Sequence, residues 1–258
     1  PVQADGAFPR RRNMTRLTDV ELDAALDATW PPARRWGEGA FTLREGQGGG
    51  KRVAAATLDG DLDEAGIDRA AEAMKERQGP VLFRVRSSQK DLDSALAARD
   101  YQTVDPTIYF TARPAALLRP DQRPLDAIAS EMLLGIQADI WVRGGIGPAR
   151  LQVMRRVQGP RAFLLARLDD RAAGVGFVAL HKDIAMVHAL EVRPAARRRG
   201  AARALLHRAA KWGSEAGANW VALAVTERNT AANTLYKALG MDAAGRYHYR
   251  EQQTGHET

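Results

Sequence analysis

Apolar positions along this chain recur with two periods, and the switches between them mark out its elements. Thr18-Asp19-Val20-Glu21 has the S/T-x-x-E pattern of a capping box. A helix is predicted from there to about Thr29, where Trp30-Pro31-Pro32 stops it. Phe41-Thr42-Leu43-Arg44 alternates apolar and polar, as do parts of 51–58, which predicts a hairpin about a Gly-rich turn. Residues 63–78 set Ile67, Ala70, Ala71 and Met74 on one helical face, and Gly79-Pro80 closes that helix. A strand at 81–85, a short helix at 88–98 and a strand at 104–111 follow. The first half therefore reads α, β-hairpin, α, β, α, β.

Residues 113–124 carry three prolines and read as a linker. Two short helices are expected next, near 124–137 and 148–157. Strands follow at 163–168 and 175–180 about a turn at Asp169-Asp170-Arg171, and a third at 184–192. Residues 200–216 form a strong helix with Leu205, Leu206 and Ala209 inward. A strand at 220–225, a helix at 229–239 and a strand at 246–250 complete the chain. The two halves share a loose order of elements without a visible sequence repeat. The predicted organisation is an N-terminal extension over 1–13, a first domain over 14–112, a linker over 113–124 and a second domain over 125–258.

Composition changes this picture little. The chain has 258 residues, 45% of them apolar and 27% charged, which fits a globular protein. No apolar run is long enough to cross a membrane as a helix. Residues 1–13 lack the apolar core of a secretory signal, and Met14 is expected to lie near the natural start. There is no Cys, which removes disulfides, thiolate zinc sites and a cysteine nucleophile, and fits a cytoplasmic location. No metal cluster is visible.

The net charge of +7 matters more, because part of it is localised. Arg197, Arg198, Arg199 and Arg203 crowd the start of the helix predicted at 200–216, just after a strand. A helix N-terminus carries free N–H groups and about half a positive charge, so arginines there oppose the dipole. A bound polyphosphate would be attracted to both. Gly200, Ala201 and Ala202 leave room for close approach to the backbone. The competing reading is a solvated basic surface.

This segment resembles the cofactor motif of the GNAT superfamily of N-acetyltransferases. Its Gln/Arg-x-x-Gly-x-Gly/Ala pattern is met by Arg197, Gly200 and Ala202, and its apolar lead-in by Leu190, Val192 and Pro194. A second family motif is met by Asn229, Leu235, Tyr236 and Gly240. The resemblance covers about residues 125–250. It implies an α/β (α+β) fold: a mixed, mostly antiparallel GNAT-type sheet flanked by helices. The first half resembles a degenerate GNAT-like copy without the cofactor motif, as in tandem GNAT proteins.

The resemblance further implies acetyl-coenzyme A as co-substrate, no metal, and direct transfer to a primary amine on a small molecule or peptide. Backbone groups of Arg198, Arg199, Gly200, Ala201, Ala202 and Arg203 would hold the pyrophosphate. Leu190 and Val192 would pair with the pantetheine arm, Asn229 would hydrogen-bond it, and the Leu190 amide would polarise the thioester carbonyl. Tyr236 would protonate the departing thiolate. Some family members carry Glu where this chain has Met186. Strict alternation puts His188 on the face of Met186, Leu190 and Val192, so His188 is the expected base or relay, with Glu191, on the opposite face, as the alternative. Gly46-Gln47-Gly48-Gly49-Gly50-Lys51 fails the Walker pattern and reads as a hairpin turn, with a substrate-side loop as the other reading. Residues 144–148 read as a plain loop, with a place in the acceptor pocket as the alternative. Trp30, Trp36, Trp212 and Trp220 read as filling core or interdomain space. Two other functions stay open at this stage: a GNAT fold that binds cofactor without turnover, and a nucleic-acid module using the basic 193–208 face.

Overall fold

A computed structural model describes residues 16–118 and 126–252. The extension expected at 1–13 lies outside these residues. Of the expected linker, 119–124 lies outside them too, and Pro114–Leu117 forms a short helix, α4. No helix among the described residues is long and apolar enough to cross a membrane.

The first half runs α1 (Asp19–Thr29), β1 (Arg34–Glu38), β2 (Phe41–Glu45), β3 (Thr57–Leu58), α2 (Glu64–Glu76), β4 (Leu82–Arg86), α3 (Lys90–Ala97) and β5 (Tyr101–Ala112). The second runs β6 (Ala127–Ser130), α5 (Gly135–Arg143), α6 (Pro148–Arg156), β7 (Arg161–Leu168), β8 (Arg171–His181), β9 (Ile184–Val192), α7 (Ala201–Glu215), β10 (Trp220–Thr226), α8 (Thr230–Ala238) and β11 (Asp242–Gln252). The capping box forms as predicted. Thr18 Oγ1 accepts from the Glu21 amide at 3.2 Å, and the Glu21 carboxylate accepts from the Thr18 amide at 2.9 Å.

Two elements differ from the sequence reading. The helix expected near 124–137 is replaced by β6, and the helix starts only at Gly135. Residues 127–130 pair with Phe163–Ala166 of β7, and this pairing overrides the helical preference of an alanine-rich stretch. The strand 34–38, which carries no clear alternation, pairs with β2 across a tight turn at Gly39-Ala40. The expected partner of β2 is also present but short: β3 adds only Thr57 and Leu58.

An eight-stranded sheet runs in the order β4-β11-β5-β10-β9-β8-β7-β6, beside a small sheet β1-β2-β3. All neighbours in the large sheet are antiparallel except β9 and β10. The adjacent strands β11 and β5 come from different halves. β5, from the first half, lies between β10 and β11, while β11, from the second, lies between β4 and β5. Each half thus lends a strand to the other. A parallel contact recurs on both sides, as β9 with β10 and as the bridge of Ala56 to Phe83 beside β4.

Helices cover both faces. α7 buries Ala204, Leu205, Leu206 and Ala209 against one face. Gly213 lets it sit close, since a Cβ there would lie 2.7 Å from that of Ala185. On the other face α1, α5 and α6 cover Phe163, Phe177 and Met186. α1 also brings Asp23 and Asp27 onto buried arginines. Arg84 lies 3.1 Å from Asp27 and 3.6 Å from Asp23, Arg86 lies 3.2 Å from Asp23, and Arg44 pairs with Asp27. Burial works to raise the Asp27 pKa, but Arg84 and Arg44 outweigh it and hold the carboxyl below its ordinary value. This network ties α1 to β2 and β4 and so fixes where the C-terminal end of α1 meets the sheet.

Candidate active site

The parallel pairing of β9 with β10 runs from Ile184/Trp220 to Val187/Leu223 and then stops. From His188 onward the two strands diverge, leaving strand edges without a neighbour on that side. A cleft of about 510 Å³ opens at the split. Its floor is Val187, Leu223 and Val225. His188, Leu190, Asn229 and Tyr236 line it, and so do Trp30, Arg52, Tyr247 and Tyr249.

A bulge in β9 shapes the split. Ala189 and Leu190 together face the single residue Gly176, and Ala189 has φ +50°. Its carbonyl accepts a hydrogen bond from the Trp141 indole of α5 at 2.7 Å. The bulge breaks strict alternation, which corrects the sequence expectation of shared faces. His188 stays with Met186 on the side of α1 and α5, whereas Leu190 and Val192 join Val187 on the side of α7.

His188 is 3% exposed and stacks on Trp30 at 5.0 Å between ring centroids. Its Nε2 lies 2.8 Å from Thr29 Oγ1, which itself donates to the Ala25 carbonyl at 2.6 Å. With its own hydrogen committed, the hydroxyl can only accept, so His188 carries its proton on Nε2. Nδ1 is left with a lone pair and no partner. Burial, and after it the charge of Arg52, holds the His188 pKa well below the ordinary value. The ring is neutral at pH 7.

That depression has a sign. The unfolded ring takes up a proton near pH 6.5 and the folded ring does not, so stability is complete above that pH and falls as pH drops below it. The expected slope is about 1.4 kcal/mol per pH unit from this group. His181 and His207 are lowered too, chiefly by burial, so the contribution is isolated by difference. Urea unfolding between pH 7.5 and 5 should cost the wild type more than His188→Gln. Equal losses would show that His188 is accessible to protons in the fold.

Tyr236 projects from α8 and packs on Phe110 at 5.6 Å between centroids. Burial pushes its hydroxyl up to about 12, with Arg52 opposing, so it keeps its proton at any working pH. Asn229 caps α8, its Oδ1 accepting from the Ala232 amide at 3.2 Å. Buried Asn233, which sequence reasoning passed over, ties the turn before α8 by donating to Thr226, Glu227 and Asn229 carbonyls.

The arginine-rich turn lies beyond Val192. Arg198 and Gly200 both take left-handed conformations, at φ +62° and +89°, and Gly200 starts α7 without any side-chain cap. Ala201 and Ala202 open the first turn, with Arg203 after them. The charge conflict expected there is partly relieved inside the chain. Arg199 pairs with Asp169 at 2.8 Å, and Arg197 reaches Glu191 at 3.7 Å and the Val192 carbonyl at 3.3 Å. These exposed pairs contribute about 1 kcal/mol or less each. The start of α2, at the matching place in the first half, is the opposite in character. Asp63 caps it, and Asp59, Asp61 and Glu64 surround it. Phosphate would be repelled there.

Residues 137–241 match the Acetyltransferase (GNAT) family. They form a GNAT domain. The chain is 25% identical over 254 residues to the uncharacterized N-acetyltransferase YobR of Bacillus subtilis, which covers 92% of this chain and 99% of that protein. Its fold resembles a GCN5-related N-acetyltransferase from Kribbella flavida at a TM-score of 0.72, with 16% identity over 92% of this chain and 96% of that one. A tandem GNAT protein from the clavulanic acid biosynthesis pathway superposes with a TM-score of 0.61 at 14% identity, over 92% of this chain and 89% of that one.

Within the GNAT domain the structure gathers four of the predicted residues, His188, Leu190, Asn229 and Tyr236, in one cleft. Glu191 lies apart, in a hollow with Arg143, Arg193 and Arg197. Burial raises its pKa, with Arg197 opposing. The Gly-rich loop, read chiefly as a hairpin turn, supplies Gly49, Gly50, Lys51 and Arg52 to the wall, and Ile146 of the 144–148 loop joins them. Thr29, Trp30 and Arg52 were not singled out by the sequence for this role. They come from the first half, more than a hundred residues from the motif they serve, and no local pattern marks them.

Proposed function

We propose that the chain is an acetyl-coenzyme A-dependent N-acetyltransferase acting on a primary amine. The reading rests above all on one juxtaposition: an uncapped, basic helix start stands at the end of a split strand pair whose cleft holds Tyr236 and His188. The residues present suit a coenzyme A pyrophosphate, because left-handed Gly200 and small Ala201 and Ala202 leave the first-turn amides approachable.

Acetyl-coenzyme A, when bound, would supply the acetyl thioester. Amides from Arg198 to Arg203 would hold its phosphates, with Arg197, Arg199 and Arg203 as flanking cations. The unpaired edge of β9 at Leu190 and Val192 would align the pantetheine arm as an added strand, and the Asn229 amide nitrogen, not used in capping, would donate to it. The Leu190 amide would donate to the thioester oxygen. Tyr236, protonated throughout the working range, would give its proton to the departing sulfur. An amine with a pKa near 10 must lose a proton to attack. Neutral His188 would hold the acceptor nitrogen through its Nδ1 lone pair while that proton leaves to solvent. Glu191, engaged with Arg197 outside the cleft, is given no step.

The test is binding followed by turnover. At about 100 times its Kd, acetyl-coenzyme A should raise Tm by roughly 5–10 °C. An amine panel should then release coenzyme A. No shift at millimolar acetyl-coenzyme A would refute the reading, and binding without turnover on any amine would leave a cofactor-binding scaffold instead.

A further inference from the structure

Three buried polar atoms belonging to the wall of the cleft have no hydrogen-bond partner: Nδ1 of His188 and the hydroxyls of Tyr247 and Tyr249. Their side chains are 3%, 2% and 3% exposed. Buried polar groups left unmade are costly, and each such group in a native fold calls for a ligand or water. The three differ in kind. Nδ1 of His188, by the tautomer fixed at Thr29, can only accept. The two hydroxyls can donate.

Beside the hydroxyls stands Arg52. Its Nη2 donates to the Ala224 carbonyl at 2.7 Å, and Tyr247 and Tyr249 neighbour its guanidinium, with the Tyr247 hydroxyl within reach of it. The other cations of this wall differ from it: Arg150 is exposed to solvent, and two are paired. Lys51 pairs with Glu251 at 2.7 Å, and Arg228 pairs with Asp105 at 3.2 Å. Among the described residues Arg52 has no carboxylate partner. A charge held against apolar and aromatic walls without a counter-ion is unfavourable until an anion arrives.

Taking the acetyl-transfer reading of this cleft as its basis, we propose that the acceptor is a small amino acid in the broad sense, an amine that also carries a carboxylate. Arg52 and the Tyr247 and Tyr249 hydroxyls hold the carboxylate, and Nδ1 of His188 faces the amine. A planar guanidinium matches a carboxylate edge to edge. One cation with two neutral donors suits its single charge better than the roughly doubled charge of a phosphate monoester.

The experiment uses the full chain with the standard amino acids and γ-aminobutyrate, each against the amine lacking its carboxyl group, and O-phosphoethanolamine against ethanolamine. Thermal shift is read with coenzyme A present, and coenzyme A release with acetyl-coenzyme A. A carboxylated amine should raise Tm and exceed its partner at least about tenfold in kcat/KM. Arg52→Gln should erase that advantage, through KM more than kcat, with the acetyl-coenzyme A shift retained. Tyr249→Phe removes one buried hydroxyl and keeps the ring, so it should fold with close to wild-type stability and still lose several-fold of the advantage. It decides the matter if Arg52→Gln does not fold. Equal use of both members of every pair, an advantage surviving these substitutions, or preference for O-phosphoethanolamine overturns the proposal. An absent acetyl-coenzyme A shift counts against acetyl transfer; a normal shift without carboxylate preference counts against the acceptor class alone.

Discussion

Gly200→Glu is expected to abolish the acetyl-coenzyme A thermal shift and to reduce kcat/KM by at least about 100-fold. Two effects add. A carboxylate near the proposed phosphates costs about 1–4 kcal/mol per unit charge at effective dielectric constants of 80 to 20, and a pyrophosphate carries more than one. The residue is also left-handed, at φ +89°, which costs a non-glycine residue about 1–2 kcal/mol. The second cost falls on the free protein, so its Tm drops by a few degrees with or without ligand. Gly200→Ala carries that strain without the charge and separates the two. It should lose the same stability as Gly200→Glu yet keep most of the ligand shift. If Gly200→Glu still binds acetyl-coenzyme A with wild-type affinity, the cofactor sits elsewhere and the arginine-rich turn is only a basic surface.

Tyr236→Phe should lower kcat by about 100-fold or more, the low end for loss of a general acid, while KM for acetyl-coenzyme A stays within a few-fold. The ring, packed on Phe110 and largely buried, is retained, so Tm should change little. Because burial lifts the hydroxyl to about 12, the wild type should show no alkaline loss of activity from this group below about pH 11. Unchanged turnover in Tyr236→Phe would move the acid role to water or another donor. A fall in affinity at constant kcat would make Tyr236 a binding residue only.

The residues of the proposed cofactor side were legible in the sequence because they are local. Arg197 to Arg203 sit within one turn of each other, Gly200 takes the positive φ that only glycine adopts without cost, and Asn229 caps the helix that presents Tyr236 seven residues later. The residues of the proposed acceptor side were not legible. The bulge at Ala189 shifts the phase of β9, so alternation assigned Leu190 and Val192 to the wrong face, and nothing in Ala189-Leu190 announces it. Strand β6 was read as helix because its four residues gain their pairing only from β7.

What the sequence determined by itself was a set of local decisions: which segments coil or extend, where α1 is capped, and that one helix start is basic and uncapped while another is acidic and capped. The tertiary structure decided the rest. It placed β5 and β11 in each other's sheets, and so put Tyr247 and Tyr249 beside Arg52 in the cleft of the other motif. It brought Thr29 to His188, 159 residues away, and thereby chose which nitrogen of that ring is left free. Propensity and capping act over a few residues. Strand exchange and a buried tautomer depend on partners brought together only when the whole sheet closes.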